Sequence, residues 1–196
     1  MNKKIVRPTP HGSVCIVWTT TGRGPQVVRV LLTKPGLPAE RRASELYPDA
    51  RAASCSEIDA MGAGMESLLE GESVDFSLDL ADLDLCGEFQ KRVLRAEHGI
   101  PRGSVSTYRL IATHLGKPNG ARAVGNALAN NPFPLIVPCH RAIRSDRHLG
   151  GYQGGLEMKR TLLEKEGVAF DSTGKAMCSH FHYERRGGTS RSKERS

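Results

Sequence analysis

One segment, residues 131–141 with the sequence NPFPLIVPCHR, constrains this chain more than any other. Proline fixes φ and lacks a backbone donor, so the three prolines stiffen the backbone on both sides of a short apolar run. Within that run Ile136 and Val137 are β-branched, which predicts a short buried strand. We therefore expect Cys139 at the end of a rigid, buried element that can aim a reactive side chain.

Cys139 is followed at once by His140 and Arg141, an order that favours thiolate chemistry. The thiolate is the nucleophile, and neighbouring cations or a positioned base lower the thiol pKa from about 8.5. Successive side chains of an extended backbone point to opposite faces. Either the chain bends at Cys139, or a water carries the proton from sulfur to imidazole. The alternative is a structural cysteine beside a solvent-facing His-Arg pair.

Composition restricts the setting in which such a thiol would work. The chain has 196 residues, a net charge of +7 and a pI near 9.4, which favours polyanionic partners, although much of the excess lies near the C-terminus. Its five cysteines form no CxxC pair, so we expect reduced thiols and a cytoplasmic location. We predict no signal peptide and no membrane span.

The first part of the chain predicts a small α/β domain over residues 1–83. A β-hairpin is expected over residues 13–33, and a connection or short helix over 34–56. Apolar residues at helical spacing predict a helix over 58–69 that ends near Gly71. Strict alternation over residues 74–80 predicts a half-buried strand. This domain, a small sheet with a helix, carries no catalytic constellation.

A mainly α domain is expected over residues 84–170. After a helix over 87–97, Ser106 is the expected N-cap of a helix through Leu115, and Asn119 is a candidate cap for a helix over 121–129. Two short helices joined by so brief a turn predict a helix-turn-helix, winged-helix-like domain. Residues 171–196 form a C-terminal extension that we expect to be largely disordered.

The second helix of that pair carries small residues where base-reading side chains would stand. Apart from Arg122 and Asn126 it presents alanines and Gly125, which are too short to reach base edges in a wide groove. A small-residue helix can instead approach DNA closely in a narrow groove and read its width. Tight helix packing is the alternative explanation.

Two groups of potential metal ligands match no zinc-finger spacing, so we predict no metal site. They are His11 with Cys15, Cys55 and Cys86, and Cys178 with His180 and His182.

Three strings together resemble the O6-alkylguanine-DNA alkyltransferase family: SVSTYRLIATHLGKPNGARAVGNAL, NPFPLIVPCHRAI and GGYQGGLEMKRTLLEKEG. The resemblance runs from Gly87 to Val168. It implies DNA repair in which a cysteine irreversibly accepts the alkyl group of a flipped O6-alkylguanine, once per molecule and without a cofactor. The implied partner is double-stranded DNA, bound by a monomer, with cooperativity left open. The implied location is the cytoplasm at the nucleoid, or the nucleus in a eukaryote.

The resemblance also implies catalytic roles. Cys139 accepts the alkyl group, and His140 takes the thiol proton through a water while Glu166 orients the imidazole. Glu164 is a nearby alternative to Glu166. The hydroxyl of Tyr152 polarises the purine as the alkyl group leaves.

Further residues follow from the same resemblance for DNA and substrate binding. Arg122 would enter the base stack, and Tyr108 would crowd the phosphate beside the flipped nucleotide. Asn131 would form a hinge between the recognition helix and the active-site segment, with a solvated helix-ending asparagine as the alternative. Gln153 stands where many relatives carry a small residue, which leaves the adduct size open. The substrate-binding set is completed by Gly125, Arg141 and Gly154.

Two other functions remain as hypotheses. One is a catalytically silent alkyltransferase-like protein that flags lesions, which the presence of Cys139 with the complete relay disfavours. The other is a helix-turn-helix regulator, which the small-residue helix disfavours.

Overall fold

The structure, a computed structural model, describes residues 1–184, and within them a small sheet with helices precedes a mainly helical part. The strands are β1 (Lys3–Thr9), β2 (Gly12–Thr21), β3 (Gly24–Leu32), β4 (Arg51–Ala52), β5 (Ser106–Thr107), β6 (Ala142–Ile143), β7 (Ala169–Phe170) and β8 (Ala176–Met177). The α-helices are α1 (Ala39–Leu46), α2 (Ser56–Glu70), α3 (Glu88–His98), α4 (Tyr108–His114), α5 (Ala121–Ala129) and α6 (Leu156–Lys165). Short 3-10 helices cover Leu78–Leu80, Leu83–Leu85 and Cys139–Arg141.

The N-terminal sheet has the strand order β3-β2-β1-β4. Strands β2 and β3 form the predicted hairpin, β1 pairs antiparallel with β2, and the two-residue β4 lies parallel to β1. The sequence analysis assigned no strand to β1, because Lys, Arg and Pro interrupt its apolar residues. Helix α2 packs against one face of this sheet through Ile58, Met61 and Met65. It ends as predicted at Gly71, whose φ of 111° permits the left-handed cap.

The strand predicted over residues 74–80 is wrong. Residues 74–77 have no regular secondary structure, and the chain then forms the 3-10 helix Leu78–Leu80. The Ser77 hydroxyl accepts a hydrogen bond from the Asp79 backbone N–H at 3.1 Å. Short polar side chains of this kind offer the backbone a local partner in place of a sheet ladder. The alternating apolar residues still pack, partly buried, on the main core.

In the helical part, α3 lies where it was predicted, but both predicted helix caps are wrong. The N-cap of α4 is Thr107, whose hydroxyl accepts from the Leu110 N–H at 3.1 Å. Ser106 lies one residue earlier in β5, and its hydroxyl donates to the His182 carbonyl. Helix α5 begins after Gly120 without a side-chain cap, so Asn119 does not fill that role.

The hydrophobic core is continuous across the domain boundary predicted near residue 83. One cluster of buried side chains runs from the N-terminal sheet and α2 through α3 and α5 to Phe133 and Cys139. In addition, the Val30 N–H of β3 donates to the Pro132 carbonyl at 2.8 Å. The N-terminal sheet therefore helps to hold the proline-rich segment that carries Cys139.

The structure differs from the predicted disorder over residues 171–184. Strands β7 and β8 pair antiparallel, and Phe181 packs on a cluster that contains Val105 and Leu163. Tyr183 stacks on His114 of α4 at 3.9 Å, and its hydroxyl donates to the Ala96 carbonyl. Two aromatic side chains, Phe181 and Tyr183, therefore pack this polar segment onto the helical part. Residues 185–196, also included in that prediction, lie outside the described residues.

None of the helices within residues 1–184 combines the length and apolar character needed to cross a membrane.

Candidate active site

The segment that carries Cys139 is bent, and the strand predicted for it is wrong. Leu135 has a φ of 74°, Pro134 and Val137 form only an isolated bridge, and a 3-10 turn covers Cys139–Arg141. The flanking prolines lack N–H donors, so a regular ladder cannot form here. Of the two arrangements considered from the sequence, the chain does bend at Cys139. No hydrogen bond joins its sulfur to His140 among the described residues.

The Cys139 thiol is almost buried, with 5% of the residue exposed. Burial raises the pKa of this thiol to about 11, which the hydrogen bond from Asn131 opposes. The Asn131 side-chain N–H donates to Sγ at 3.4 Å, and its Oδ1 accepts from the Phe133 N–H at 2.9 Å. Asn131 is fully buried, so the solvated position considered for it is excluded.

His140, Arg141 and Glu166 form a buried charge cluster behind the thiol. The distance between His140 Nε2 and Glu166 Oε1 is 2.9 Å, and Arg141 donates to both Glu166 oxygens at 2.8 and 3.0 Å. Burial alone would raise the pKa of Glu166, but these hydrogen bonds outweigh it and hold the pKa at about 2. The third contact of Arg141 is to the Ile100 carbonyl at 2.6 Å. Glu164, the alternative carboxylate, pairs with Arg160 on the exposed side of α6.

This arrangement fixes the tautomer of His140. An ionised carboxylate only accepts hydrogen bonds, so Nε2 must carry the proton and Nδ1 is the free acceptor. Burial lowers the pKa of His140, and the ring is neutral near pH 7. Nδ1 is buried and has no protein partner among residues 1–184. The cluster thus offers a neutral imidazole with one unused basic nitrogen.

Cys139 opens on a cavity of about 460 Å³, within the range of about 300–1,000 Å³ typical of small-molecule sites. Its lining comes from the N-terminal part, from α4 and α5, and from the loop before α6. The lining residues are Lys34, Tyr108, Gly125, Leu128, Ala129, Cys139, Gly151, Tyr152 and Gln153.

The loop before α6 forms one wall of this cavity. The Tyr152 hydroxyl is buried without a partner among the described residues, and its ring meets that of His140 edge-on at 6.2 Å. Burial raises the pKa of Tyr152 well above its ordinary value, so the hydroxyl keeps its proton. The Gln153 amide donates to the Asn131 carbonyl and thereby ties the loop to the end of α5. At Gly154 an added Cβ would collide with the end of the Met158 side chain, so Met158 would have to move to admit a larger residue.

Helices α4 and α5 supply the opposite wall. Tyr108 begins α4, and its hydroxyl lies so near Gly150 that an added Cβ there would come within 2.8 Å. Gly125 faces open space, with no atom within 4 Å of an added Cβ. Arg122 is exposed in the first turn of α5 and does not line the cavity.

Two buried charged residues beside the site, Glu97 and Lys159, did not figure in the sequence analysis. Lys159 donates to the Ala142 and Gly151 carbonyls at 2.6 and 3.2 Å, and Glu97 is buried with neither oxygen partnered among the described residues. Helical spacing signals both positions. Lys159 precedes the buried Leu163 by four residues, and Glu97 follows the buried Val93 by four.

Residues 1–184 contain no group of three or more His, Cys, Asp and Glu side chains placed to hold a metal ion. The two sets considered from the sequence therefore do not assemble as ligand groups in this part of the chain.

The part of the chain that carries this site matches a known protein family. Residues 88–168 fit the family described as 6-O-methylguanine DNA methyltransferase, DNA binding domain. The methylated-DNA–protein-cysteine methyltransferase of Methanothermobacter thermautotrophicus is 50% identical over 103 residues, which cover 53% of this chain and 57% of that protein. The protein of the same name from Mycolicibacterium paratuberculosis is 40% identical over 136 residues, or 67% of this chain and 81% of the relative.

Solved structures extend the similarity to most of the chain. The Mycobacterium tuberculosis O6-methylguanine methyltransferase has a TM-score of 0.66 and 30% identity, and the match covers 85% of this chain and 93% of that one. The OGT of the same organism in complex with DNA has a TM-score of 0.61 and 28% identity, with coverage of 84% and 91%.

The chain belongs to the methylated-DNA–protein-cysteine methyltransferase family. It spans little more than half the length of the Methanothermobacter relative that it matches.

Proposed function

We propose that this protein repairs DNA by transferring the alkyl group of O6-alkylguanine to Cys139, irreversibly and once per molecule. The observation that carries the proposal is the Cys139 thiol, which opens on a cavity of about 460 Å³ and is backed by the buried His140–Glu166 pair. The M. tuberculosis relative in complex with DNA supports DNA as the substrate.

The chemistry begins with removal of the thiol proton. The free protein holds a protonated thiol, because burial places its pKa at about 11. A water between sulfur and His140 Nδ1 would carry the proton to the neutral imidazole, while Glu166 keeps the opposite nitrogen protonated. The S–C bond then forms as the C–O6 bond breaks, and guanine leaves with the proton that sulfur gave up. The thioether lacks a good leaving group, so no second turnover follows and no cofactor is needed.

Tyr152 would supply the hydrogen bond that the leaving purine needs. Its hydroxyl has no partner in the described part of the chain, keeps its proton, and belongs to a residue that lines the same cavity as the sulfur. Donors preorganised where charge develops contribute most when water is excluded, as in this partly enclosed cavity. Gly154 lies beside Tyr152, where an added Cβ would approach the tyrosine ring to 3.2 Å.

DNA binding is assigned to α4 and α5, which act as a helix-turn-helix in the minor groove. Gly125 and Ala129 line the cavity and present no bulk to the duplex, and Arg122 is exposed at the start of α5. Arg122 would fill the gap left by the extruded guanine, and Tyr108 would press on the adjacent phosphate. Extrusion is required because the alkylated oxygen lies inside the duplex, and it costs a few kcal/mol. Asn131, tied to Cys139 and Phe133, is the hinge between α5 and the nucleophile, and Arg141 fixes Glu166.

The deciding experiment incubates the protein with duplex DNA that contains one O6-methylguanine and follows the intact protein mass. We expect one methyl group to be added, peptide mapping to locate it on Cys139, and Cys139→Ser to gain nothing. Cys55→Ser, which alters a half-buried cysteine away from the cavity, is the matched control and should react like the wild type.

Two other results would overturn the proposal in distinct ways. Tight binding to lesion DNA without a mass gain would identify a catalytically silent lesion-flagging protein. Sequence-selective binding to undamaged DNA would identify a regulator.

A further inference from the structure

A rigid turn of the N-terminal part, residues 34–37, reaches the alkyltransfer cavity. The backbone of Lys34 both donates to and accepts from that of Leu37, at 3.0 and 2.9 Å. Gly36 adopts a φ of 73°, which permits this tight geometry. The neighbouring Pro35 lies 3.9 Å from the Cβ position of Gly155, so the turn abuts the loop that carries Tyr152.

Lys34 lines the same cavity as Cys139. Among the described residues that form this lining, Lys34 alone precedes residue 100, and none is an aspartate or glutamate. The family match begins only at residue 88, so it assigns nothing to this position. The N-terminal part thus contributes a cation to a cavity whose other lining residues are uncharged.

The Lys34 ammonium has no hydrogen-bond or ion-pair partner within residues 1–184. The Lys34 side chain is half-buried, and the positive charge of Arg42 repels it. The Arg42 guanidinium donates a hydrogen bond to the Leu32 carbonyl. Partial burial together with this repulsion lowers the pKa of Lys34. An anion brought against the ammonium would replace lost water and offset the repulsion from Arg42.

We infer that Lys34 binds a phosphate oxygen of the strand whose nucleotide is flipped into the cavity, and so positions that nucleotide for transfer. The inference rests on the proposed function. A flipped base remains joined to its backbone, so its phosphodiester must lie at the mouth of the cavity. A lysine ammonium binds phosphate as a point charge, which suits an anion whose orientation changes during flipping.

The test compares Lys34→Ala and Lys34→Arg with the wild type and with Arg51→Ala. Arg51 is a matched control because it is exposed on the short strand β4 of the same N-terminal part and does not line the cavity. Two readouts are used: affinity for a lesion-bearing duplex at several salt concentrations, and the rates of benzyl transfer from duplex DNA and from free O6-benzylguanine.

We expect Lys34→Ala to reduce the slope of log affinity against log salt by about 0.9, the value for one phosphate contact on duplex DNA. Transfer from DNA should slow at least about threefold more than transfer from the free base, because only DNA carries the phosphate. Lys34→Arg should recover most of both effects, and Arg51→Ala should show neither. Thermal unfolding of each variant verifies that the fold is intact.

An unchanged salt slope, or equal losses on DNA and free base, would refute the phosphate contact. Equal losses would instead assign Lys34 to the base itself. The salt slope is measured by binding alone, so it tests Lys34 even if the wild type transferred no alkyl group. That last result would refute the proposed function, while the salt slope would still decide whether Lys34 contacts a phosphate.

Discussion

Replacing Glu97 by glutamine should stabilise the protein relative to the wild type, and this difference in the free energy of unfolding should grow as the pH rises. Glu97 is fully buried on α3, and neither of its oxygens has a partner among the described residues. Burial raises its pKa from 4.5 to about 8, against the opposing charges of Lys159 and Arg141. The folded protein therefore holds Glu97 in its neutral form at neutral pH.

The sign follows from proton linkage. The folded pKa lies above the unfolded value, so the folded state binds the Glu97 proton more tightly. The stabilisation is complete below about pH 4.5 and is lost as the pH rises through about 8. With 1.36 kcal/mol for each pKa unit, the loss between about pH 5 and pH 8 is roughly 3 kcal/mol. Glutamine has no proton to lose and avoids this loss.

Urea unfolding of the wild type and of Glu97→Gln at several pH values between about 5 and 8 measures the effect. The stability difference in favour of Glu97→Gln should grow by roughly 3 kcal/mol over this range. Lys159, whose pKa burial lowers from 10.5 to about 8, changes the stability mainly between these two values and so above this window. Glu70→Gln, which removes an exposed carboxyl, is the control. A difference independent of pH would show that the folded state holds Glu97 ionised, and would refute the reasoning.

Three more substitutions test the site and the DNA contact. Glu166→Gln should slow benzyl transfer from free O6-benzylguanine about 10- to 100-fold, because the tautomer of the imidazole is no longer fixed. The pKa of Glu166 is held at about 2, so its contribution to wild-type stability should be lost as the pH falls from about 4.5 through 2. Acid unfolding curves should show this loss in the wild type and not in the variant. Gly154→Ala should lower the free energy of unfolding in urea by about 1 kcal/mol, the low end of the cost of overpacking, because the flexible end of Met158 can shift to admit the methyl group. A much larger loss would show that Met158 cannot move. Arg122→Ala should slow repair of duplex DNA about tenfold or more and slow transfer from the free base less, because base flipping costs a few kcal/mol only in the duplex. Equal losses of rate on the two substrates would contradict the wedge role.

The amphipathic elements could be predicted from the sequence, because burial of one face produces a periodic pattern of apolar residues. Apolar spacing located α2, including its end at Gly71, and the β-rich runs located the β2–β3 hairpin. The two false strands had strand-like composition but lacked the means to form a ladder. Over residues 74–80 the Ser77 hydroxyl supplies a local acceptor, and around Cys139 prolines remove the donors.

The site itself depends on contacts that no local pattern encodes. Glu166 reaches His140 across 26 positions of the chain, and the resemblance to a family, not spacing, indicated that pairing. Lys34 was missed because its significance lies in what surrounds it in three dimensions. Helical spacing indicates that Glu97 is buried, but not that its carboxyl lacks a partner among the described residues. The ordered segment after residue 170 was missed for the same reason, since its polar composition conceals the docking of Tyr183 on α4.

The resting state of the nucleophile has a consequence for selectivity. With a pKa of about 11 the Cys139 thiol is protonated in the free protein, and so it is a poor target for soluble alkylating agents. His140 is neutral and keeps one nitrogen unpartnered within residues 1–184, so the base of the proposed relay is present before substrate arrives. In the proposed mechanism activation would therefore wait for a group that places an electrophilic carbon beside the sulfur and completes the hydrogen bonds of Tyr152. Under the proposed function a flipped alkylated purine would do both, and because each reaction would consume one protein molecule, this gating would reserve the thiol for that substrate.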